Sequence, residues 1–365
     1  MPAKNDKRSY VIILVLILFI TVTLFIYLRF GSVFGLYESL KYKNSSNQDL
    51  VVPKTGDPLV QEKGWSDLMD RIGVAEAYLA FKNQYDNENF GVQHTVAHII
   101  GELIYEKKGI EGLTICDSEF AFGCYHSFFG LALAENGTSV IQKLDAECVK
   151  KYGPLGTGCQ HGIGHGLVEY FGHDYGGLTK SLDACKLTTQ MAPLAGCTSG
   201  VFMEFNLSTI LSDRGGISKT RDFDPGQPYY PCNLILAKYK DSCYYEMAQW
   251  LNSIPDFNDD FANIGRLCQG VESYENRISC YLGVGNVAGP SSNYEVEKAK
   301  EKCNSLPTKE GRIECLAGAS WSFDANPDFR PLAYLLCEGL SSTDTVHCIR
   351  SSDVLKQKKN NQQDI

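Results

Sequence analysis

The spacing of the cysteines constrains the fold of this chain more than any other feature of its sequence. All 14 cysteines lie after residue 115, and neighbours taken in order as pairs are 8 to 12 residues apart. The second members of successive pairs recur at intervals of 33 to 46 residues, most of them close to 35. Regular, even-numbered cysteines predict disulfides and therefore an oxidising, extracytoplasmic compartment, although sequence alone also permits other pairings. The neighbour pairs are Cys116–Cys124, Cys148–Cys159, Cys185–Cys197, Cys232–Cys243, Cys268–Cys280, Cys303–Cys315 and Cys337–Cys348.

The segments around each pair predict helical hairpins. A small-residue, aromatic and aliphatic run follows each second cysteine, as in CQHGIGHGLVEYF from Cys159, and is typical of a buried helix. A more polar, amphipathic segment precedes each first cysteine, as in TSVIQKLDAEC ending at Cys148. A period near 35 residues is that of helix–turn–helix units. We therefore predict an all-α fold, an α-solenoid over 61–354 with a disulfide within each hairpin. Short runs such as VGNVAG are also compatible with strands.

Three further segments fit around this repeat. The longest interval contains a stretch rich in Gly, Pro and Asp, which predicts an inserted loop at 212–231. The segment from Trp65 to Tyr85 predicts the first amphipathic helix. The charged and amide-rich residues 355–365 predict a disordered tail. Glycines near the start of each second helix predict close approach between neighbouring helices.

The amino terminus predicts a membrane anchor. Residues Val11 to Leu28 carry no charge, and about 18 such residues can span a bilayer. The basic residues of segment 1–9 favour a cytoplasmic amino terminus. We predict a transmembrane helix at 10–30 and a flexible stalk at 31–60, with a cleaved signal peptide as the alternative. The protein is then single-pass, with a periplasmic, cell-surface or lumenal domain after the anchor.

The histidines follow the same period as the cysteines. Two segments share the pattern His-x3-His-x3-Glu, in HTVAHIIGE and HGIGHGLVE. The repeat between them has His126, followed at the next two equivalent positions by the small residues Gly130 and Ala134. Residues four apart share one face of a helix. We therefore expect one shared surface with a hollow beside the small residues. The candidate metal ligands are His94, His98, His126, His161 and His165, with Glu102 and Glu169 as ligands or catalytic general bases.

This pattern predicts a transition-metal site for zinc, iron or manganese. A three-histidine set leaves an open position for water or substrate, so either a hydrolase or an oxygenase fits. The alternatives are a hydrogen-bonded polar network and a metal-free acid–base site. His173 is a candidate outer partner of the ligands or a solvated helix end, and Glu204 is a candidate pocket wall. His347 is expected to be structural.

Two functions are therefore compatible with the sequence. The first is a membrane-anchored protein with a metal-dependent activity in its first repeats. The second is a non-catalytic solenoid that binds a protein or peptide partner on its concave face at the cell surface. The net charge of −9 and the absence of a basic stripe argue against nucleic acid as a partner.

Overall fold

The computed structural model describes residues 51–153, 158–189, 194, 196–208, 220–326 and 328–349. These residues form helices, turns and loops, and none of them lies in a strand, as the all-α prediction requires. The chain divides into the units Met1–Pro53 and Lys54–Ile365, and every helix described below belongs to the second unit. No helix of the described residues is long and apolar enough to cross a membrane. The predicted anchor at 10–30 and the predicted tail at 355–365 lie outside the described residues.

The first predicted helix is two helices, α1 (Pro58–Ile72) and α2 (Val74–Tyr85). Asp57 caps α1 by accepting a hydrogen bond from the backbone N–H of Leu59. Gly73 separates the two helices with a φ of 98°, a conformation that costs a residue with a side chain far more than glycine. The expected continuous helix from Trp65 to Tyr85 is therefore wrong, because Gly73 turns the chain in its middle.

Seven helices pack one after another through the core, and we call them the core helices. Each is largely buried, and the predicted buried helices all lie among them. Consecutive core helices contact each other in chain order. Because most of their circumference is apolar or small, they can be covered on more than one side. The core helices are α3 (Phe90–Lys108), α4 (Gly123–Asn136), α6 (Gly158–Phe171), α8 (Cys197–Leu207), α9 (Ala237–Ser253), α11 (Tyr274–Ser291) and α13 (Lys309–Ala325).

Four shorter helices lie against the core helices with one apolar face. In the outer helix Phe261–Gln269, buried residues recur at Phe261, Ile264, Gly265 and Cys268, the spacing of an amphipathic helix. This agrees with the more polar segment predicted before Cys148, Cys185, Cys268 and Cys303, whereas Cys232 follows a loop without a helix. The four outer helices are α5 (Ile141–Tyr152), α7 (Tyr175–Ala184), α10 (Phe261–Gln269) and α12 (Val296–Asn304). A 3-10 helix, Arg330–Cys337, and a helical segment at 342–349 follow α13.

The seven neighbour disulfides are present, and no described cysteine is free. Cys148 near the end of α5 is bonded to Cys159 at the start of α6, as predicted for a stapled hairpin. Closing a loop of about a dozen residues stabilises the folded chain by roughly 3 kcal/mol in the chain-entropy model. Disulfides of this number are typical of extracytoplasmic domains.

Glycines allow the core helices to approach until their backbones touch. A Cβ atom on Gly164 of α6 would lie 2.1 Å from the carbonyl oxygen of Cys197 in α8. A Cβ atom on Gly200 of α8 would lie 1.9 Å from the carbonyl oxygen of His161 in α6. The two glycines therefore form a reciprocal contact that no other residue fits. This confirms the close approach predicted from the glycine-rich starts of these helices.

Part of the predicted inserted loop lies in the described residues. Residues 220–231 form no helix, in agreement with the prediction, and 209–219 are outside the described part. The guanidinium of Arg221 lies 3.6 Å from the ring centroid of Trp250 in α9. The indole nitrogen of Trp250 donates a hydrogen bond to the Arg221 carbonyl at 2.7 Å. These contacts fix the returning end of the loop against α9.

Candidate metal centre

Three imidazoles from two adjacent core helices converge, and we call them the three-histidine centre. His94 and His98 lie one turn apart on α3, and His126 lies near the start of α4. The ring centroids are 4.5 Å apart for His94 and His98, and each lies 5.3 Å from that of His126. One ring nitrogen from each residue lies within 4.8 Å of the other two. The centre thus brings together three of the five predicted histidine ligands.

The orientation of His94 is set by a backbone carbonyl. Its Nδ1 donates a hydrogen bond to the carbonyl oxygen of Phe120 at 2.8 Å. Because a carbonyl can only accept, Nδ1 carries the proton and Nε2 has a lone pair. The Nε2 atoms of His94 and His98 are 3.1 Å apart. Two nitrogens that share a tetrahedral zinc ion are about 3.3 Å apart, so the spacing suits a common ion as well as a hydrogen bond.

The loop that provides this carbonyl has an unusual backbone. Phe120 and Phe122 have φ values of 53° and 63°, in the left-handed region that residues with side chains seldom adopt. Such residues cost on the order of 1–3 kcal/mol each and cluster at functional sites. Gly123 then starts α4 directly against His94, since an added Cβ would lie 3.1 Å from the His94 Nδ1 atom. Loop and glycine together hold the His94 ring in place.

His126 is the buried member of the centre. It is 5 % exposed, and its Nδ1 has no hydrogen-bond partner among the described residues. Burial lowers the pKa of His126 well below its usual value, and the neighbouring histidines, His165 first, lower it further. The ring is therefore neutral at physiological pH, and a neutral imidazole is the form that binds metal ions.

The predicted hollow lies one turn after His126. Gly130 is buried, yet a Cβ atom added to it would meet no atom within 4 Å. Ala134, one turn further, is exposed to solvent. The small residues therefore leave open space on the His126 face of α4, in agreement with the prediction.

A second group of ligand-type residues lies where α6 packs against α8. Glu169 of α6, His173 after that helix and Glu204 of α8 each offer one ligand atom, all within 4.8 Å of one another. Glu204 is fully buried, and its two oxygens lie 2.8 Å from His165 Nδ1 and 3.4 Å from His173 Nε2. We call Glu169, His173 and Glu204 the carboxylate group.

His165 connects the two groups and His161 packs on His165, and neither of them belongs to a group. The ring centroid of His165 is 4.4 Å from that of His126 and 4.8 Å from that of His161. His161 Nε2 lies 3.3 Å from the sulfur of Met203. The five predicted histidines therefore form a continuous row of rings instead of meeting at one point. Glu102 is half-buried on α3 and belongs to neither group, whereas Glu169 lies in the carboxylate group.

Sequence reasoning gave too little weight to His173 and Glu204. The signal for His173 was present, because it continues the four-residue spacing of His161, His165 and Glu169. Glu204 had no such signal, since its role depends on the packing of α8 against α6. His347, expected to be structural, is bonded to the buried Glu314 beside a cavity of about 230 Å³ near α13.

No protein-family model matches this sequence, and no curated protein and no solved structure shows significant similarity to it. The function therefore has to be argued from the chemistry of these residues.

Proposed function

We propose that this chain is a membrane-anchored, extracytoplasmic helical-repeat protein that binds a transition-metal ion at the three-histidine centre. The observation that carries the proposal is the convergence of three imidazole nitrogens within 4.8 Å. The ion is zinc, iron or manganese, and of these three zinc and iron suit imidazole ligands best. The proposal has three parts: the helical-repeat array, its membrane anchor at 10–30 and the metal site.

The state of each imidazole supports metal binding. His94 is hydrogen-bonded through Nδ1 to a backbone carbonyl, which is the arrangement that orients metal-ligating histidines. His126 is neutral and keeps a buried ring nitrogen without a hydrogen-bond partner in the described chain. Leaving a buried polar atom unsatisfied costs about 1–3 kcal/mol, and coordination to an ion would remove that cost.

The surroundings of the centre support chemistry at a bound ion. Three protein ligands leave at least one open coordination position, and the space beside Gly130 provides room next to His126. A zinc ion there would supply activated water for hydrolysis, and iron or manganese would supply oxygen chemistry. We favour hydrolysis, because it requires only the ion, its water and a substrate in that space.

Elemental analysis of the full-length chain, purified in detergent, tests the proposal. The wild type should contain one equivalent of metal more than either His98→Ala or His126→Ala, as expected when one of three ligands is removed. His347→Ala is the matched control, because that histidine lies beside Glu314 and outside both ligand groups. It should leave the metal content unchanged.

The same experiment decides between the two functions. If the wild type contains no metal and takes up none after treatment with zinc, iron and manganese salts, the metal proposal is wrong. The alternative, a non-catalytic solenoid that binds a protein or peptide on its concave face, would then be preferred. Equal metal contents in His98→Ala, His126→Ala and the wild type would also contradict the assignment of these ligands.

A further inference from the structure

We propose that the carboxylate group (Glu169, His173 and Glu204) binds a second divalent metal ion. This ion prefers oxygen ligands more strongly than the ion at the three-histidine centre does. The two sites have no ligand in common, so this proposal does not depend on metal binding by the three-histidine centre. The ligand atoms of the carboxylate group lie within 4.8 Å of one another, a limit that those of the three-histidine centre also meet.

The backbone brings these three residues together from different directions. Helix α6 ends at Phe171, soon after Glu169, and Gly172 follows with a φ of 98°. This turn directs His173 back towards α8, where its Nε2 lies 3.4 Å from Glu204 Oε1. The Gly164–Gly200 contact sets the short distance between α6 and α8. The site is therefore built by the same helix contact that defines the repeat.

The surroundings of Glu204 hold its carboxylate in a fixed orientation, as is common for carboxylates that bind metal ions. Its side chain is 0 % exposed, and its Oε2 is held by His165 Nδ1 at 2.8 Å. An ionised carboxylate is costly to bury unless it is paired and hydrogen-bonded. Ligating carboxylates are commonly fixed by a hydrogen bond from a neighbouring group, and His165 makes that bond here. Oε1 is the oxygen that faces His173, and so it is the ligand atom towards the site.

The ligand set differs in charge and hardness from the three-histidine centre. Two ionised carboxylates and one imidazole provide a charge of about −2, whereas three neutral imidazoles provide none. Carboxylate oxygens suit manganese, whereas imidazole suits zinc, copper and iron. His173 is 23 % exposed and Glu169 is half-buried, so water can reach an ion bound between them. Manganese, which accepts several water ligands, is therefore the appropriate probe.

Titration of the metal-free, full-length chain with manganese chloride tests this site. Free Mn²⁺ is measured by electron paramagnetic resonance, because bound Mn²⁺ loses most of its solution signal. The carboxylate group of the wild type should bind one Mn²⁺ in addition to any Mn²⁺ that the three-histidine centre takes up, and Glu169→Gln and His173→Gln should each weaken the binding of this ion at least tenfold. Both residues are half-buried, and unchanged disulfides and far-ultraviolet circular dichroism will show that the variants fold.

A matched variant separates the two metal sites. His94→Ala removes a ligand of the three-histidine centre only, so the affinity of the carboxylate group for its Mn²⁺ should stay within about twofold of the wild type. Loss of all manganese binding in His94→Ala, or a number of bound Mn²⁺ ions in Glu169→Gln and His173→Gln that equals the wild-type number with unchanged affinity, would overturn the second site. Absence of Mn²⁺ binding by the wild type would overturn it too. None of these outcomes affects the test of the first site, which is the metal lost in His98→Ala and His126→Ala.

Discussion

The core-helix pairs α6–α8 and α11–α13 have the same backbone contact and different side chains. Gly164 and Gly285 each lie five residues after a paired cysteine, and each would place a Cβ within 2.1 Å of a cysteine carbonyl oxygen on the next core helix. Gly200 and Gly318 each lie three residues after a cysteine and make the return contact. The two helix pairs therefore share the same backbone contact in detail.

The histidines and glutamates of α6 and α8 have no ionisable counterpart in α11 and α13. His161 corresponds to Leu282, and Glu204 corresponds to Ser322, when positions are counted from the paired cysteines. Since α11 and α13 pack equally closely with leucine and serine, the helix contact does not require histidine or glutamate. This difference argues that the histidine row is present for a purpose other than folding.

Between the two pairs lies a contact of another kind. Glu246 of α9 stands three residues after Cys243, where α6, α8, α11 and α13 have glycine. It accepts a hydrogen bond from Ser199 of α8, and both side chains are buried. At the junction of the two helix pairs, a buried carboxyl group thus takes the place of a glycine contact.

The largest expected effect comes from filling the glycine contacts. Gly200→Ala and Gly318→Ala each place a methyl group about 2 Å from a backbone carbonyl oxygen, so the helices must separate. We expect each to lower the free energy of unfolding by about 3 kcal/mol, at the upper end of overpacking costs. Urea denaturation with the disulfides intact measures it. A large loss in only one variant would show that the two contacts are not equivalent.

The second-largest expected effect concerns Glu246, at the junction between the two helix pairs. Burial raises the pKa of Glu246 from 4.5 to about 8, against the opposing hydrogen bond from Ser199. The folded chain therefore keeps this proton while the unfolded chain loses it above about 4.5. Stability falls as the pH rises through this window, by up to about 1.4 kcal/mol per unit.

Glu246→Gln should remove this pH dependence, because glutamine stays neutral and can still accept from Ser199. Between about pH 5 and about pH 7, the variant should gain about 2 kcal/mol relative to the wild type. Urea denaturation of both proteins at each pH measures the gain, and protonation of the histidines affects both alike. Parallel pH profiles would show that Glu246 is already ionised in the folded chain.

The sequence predicted the local features of this fold well. The cysteine period gave the disulfide pairs, because hairpins of constant length bring neighbouring cysteines together. The four-residue spacing put His94 and His98 on one helix face. It could not show which face of the next helix they meet, since that depends on how the helices pack. The pairing of His126 with α3, and of His165 with Glu204, follows from this packing.

Two other features, the orientation of His94 and the break in the first helix, each depend on the backbone conformation of a single residue. The Phe120 carbonyl reaches His94 only because Phe120 has a left-handed φ, which is unusual for phenylalanine. Gly73 divides the first helix, although the apolar pattern continues across it. Phe120 adopts its conformation against the preference of its residue type, whereas Gly73 is a helix-end signal that the continuing apolar pattern outweighed in the prediction.

The smallest expected effect is a gain in stability, and it tests the space beside the three-histidine centre. Gly130→Ala makes the same chemical change as Gly200→Ala, in a core helix, at a position where the new Cβ meets no atom within 4 Å. Alanine is a better helix former than glycine by up to about 1 kcal/mol. We therefore expect Gly130→Ala to raise the free energy of unfolding by about 0.5–1 kcal/mol in the same urea experiment. If it destabilises the chain, the space beside His126 is filled, and the room we assign to a substrate does not exist.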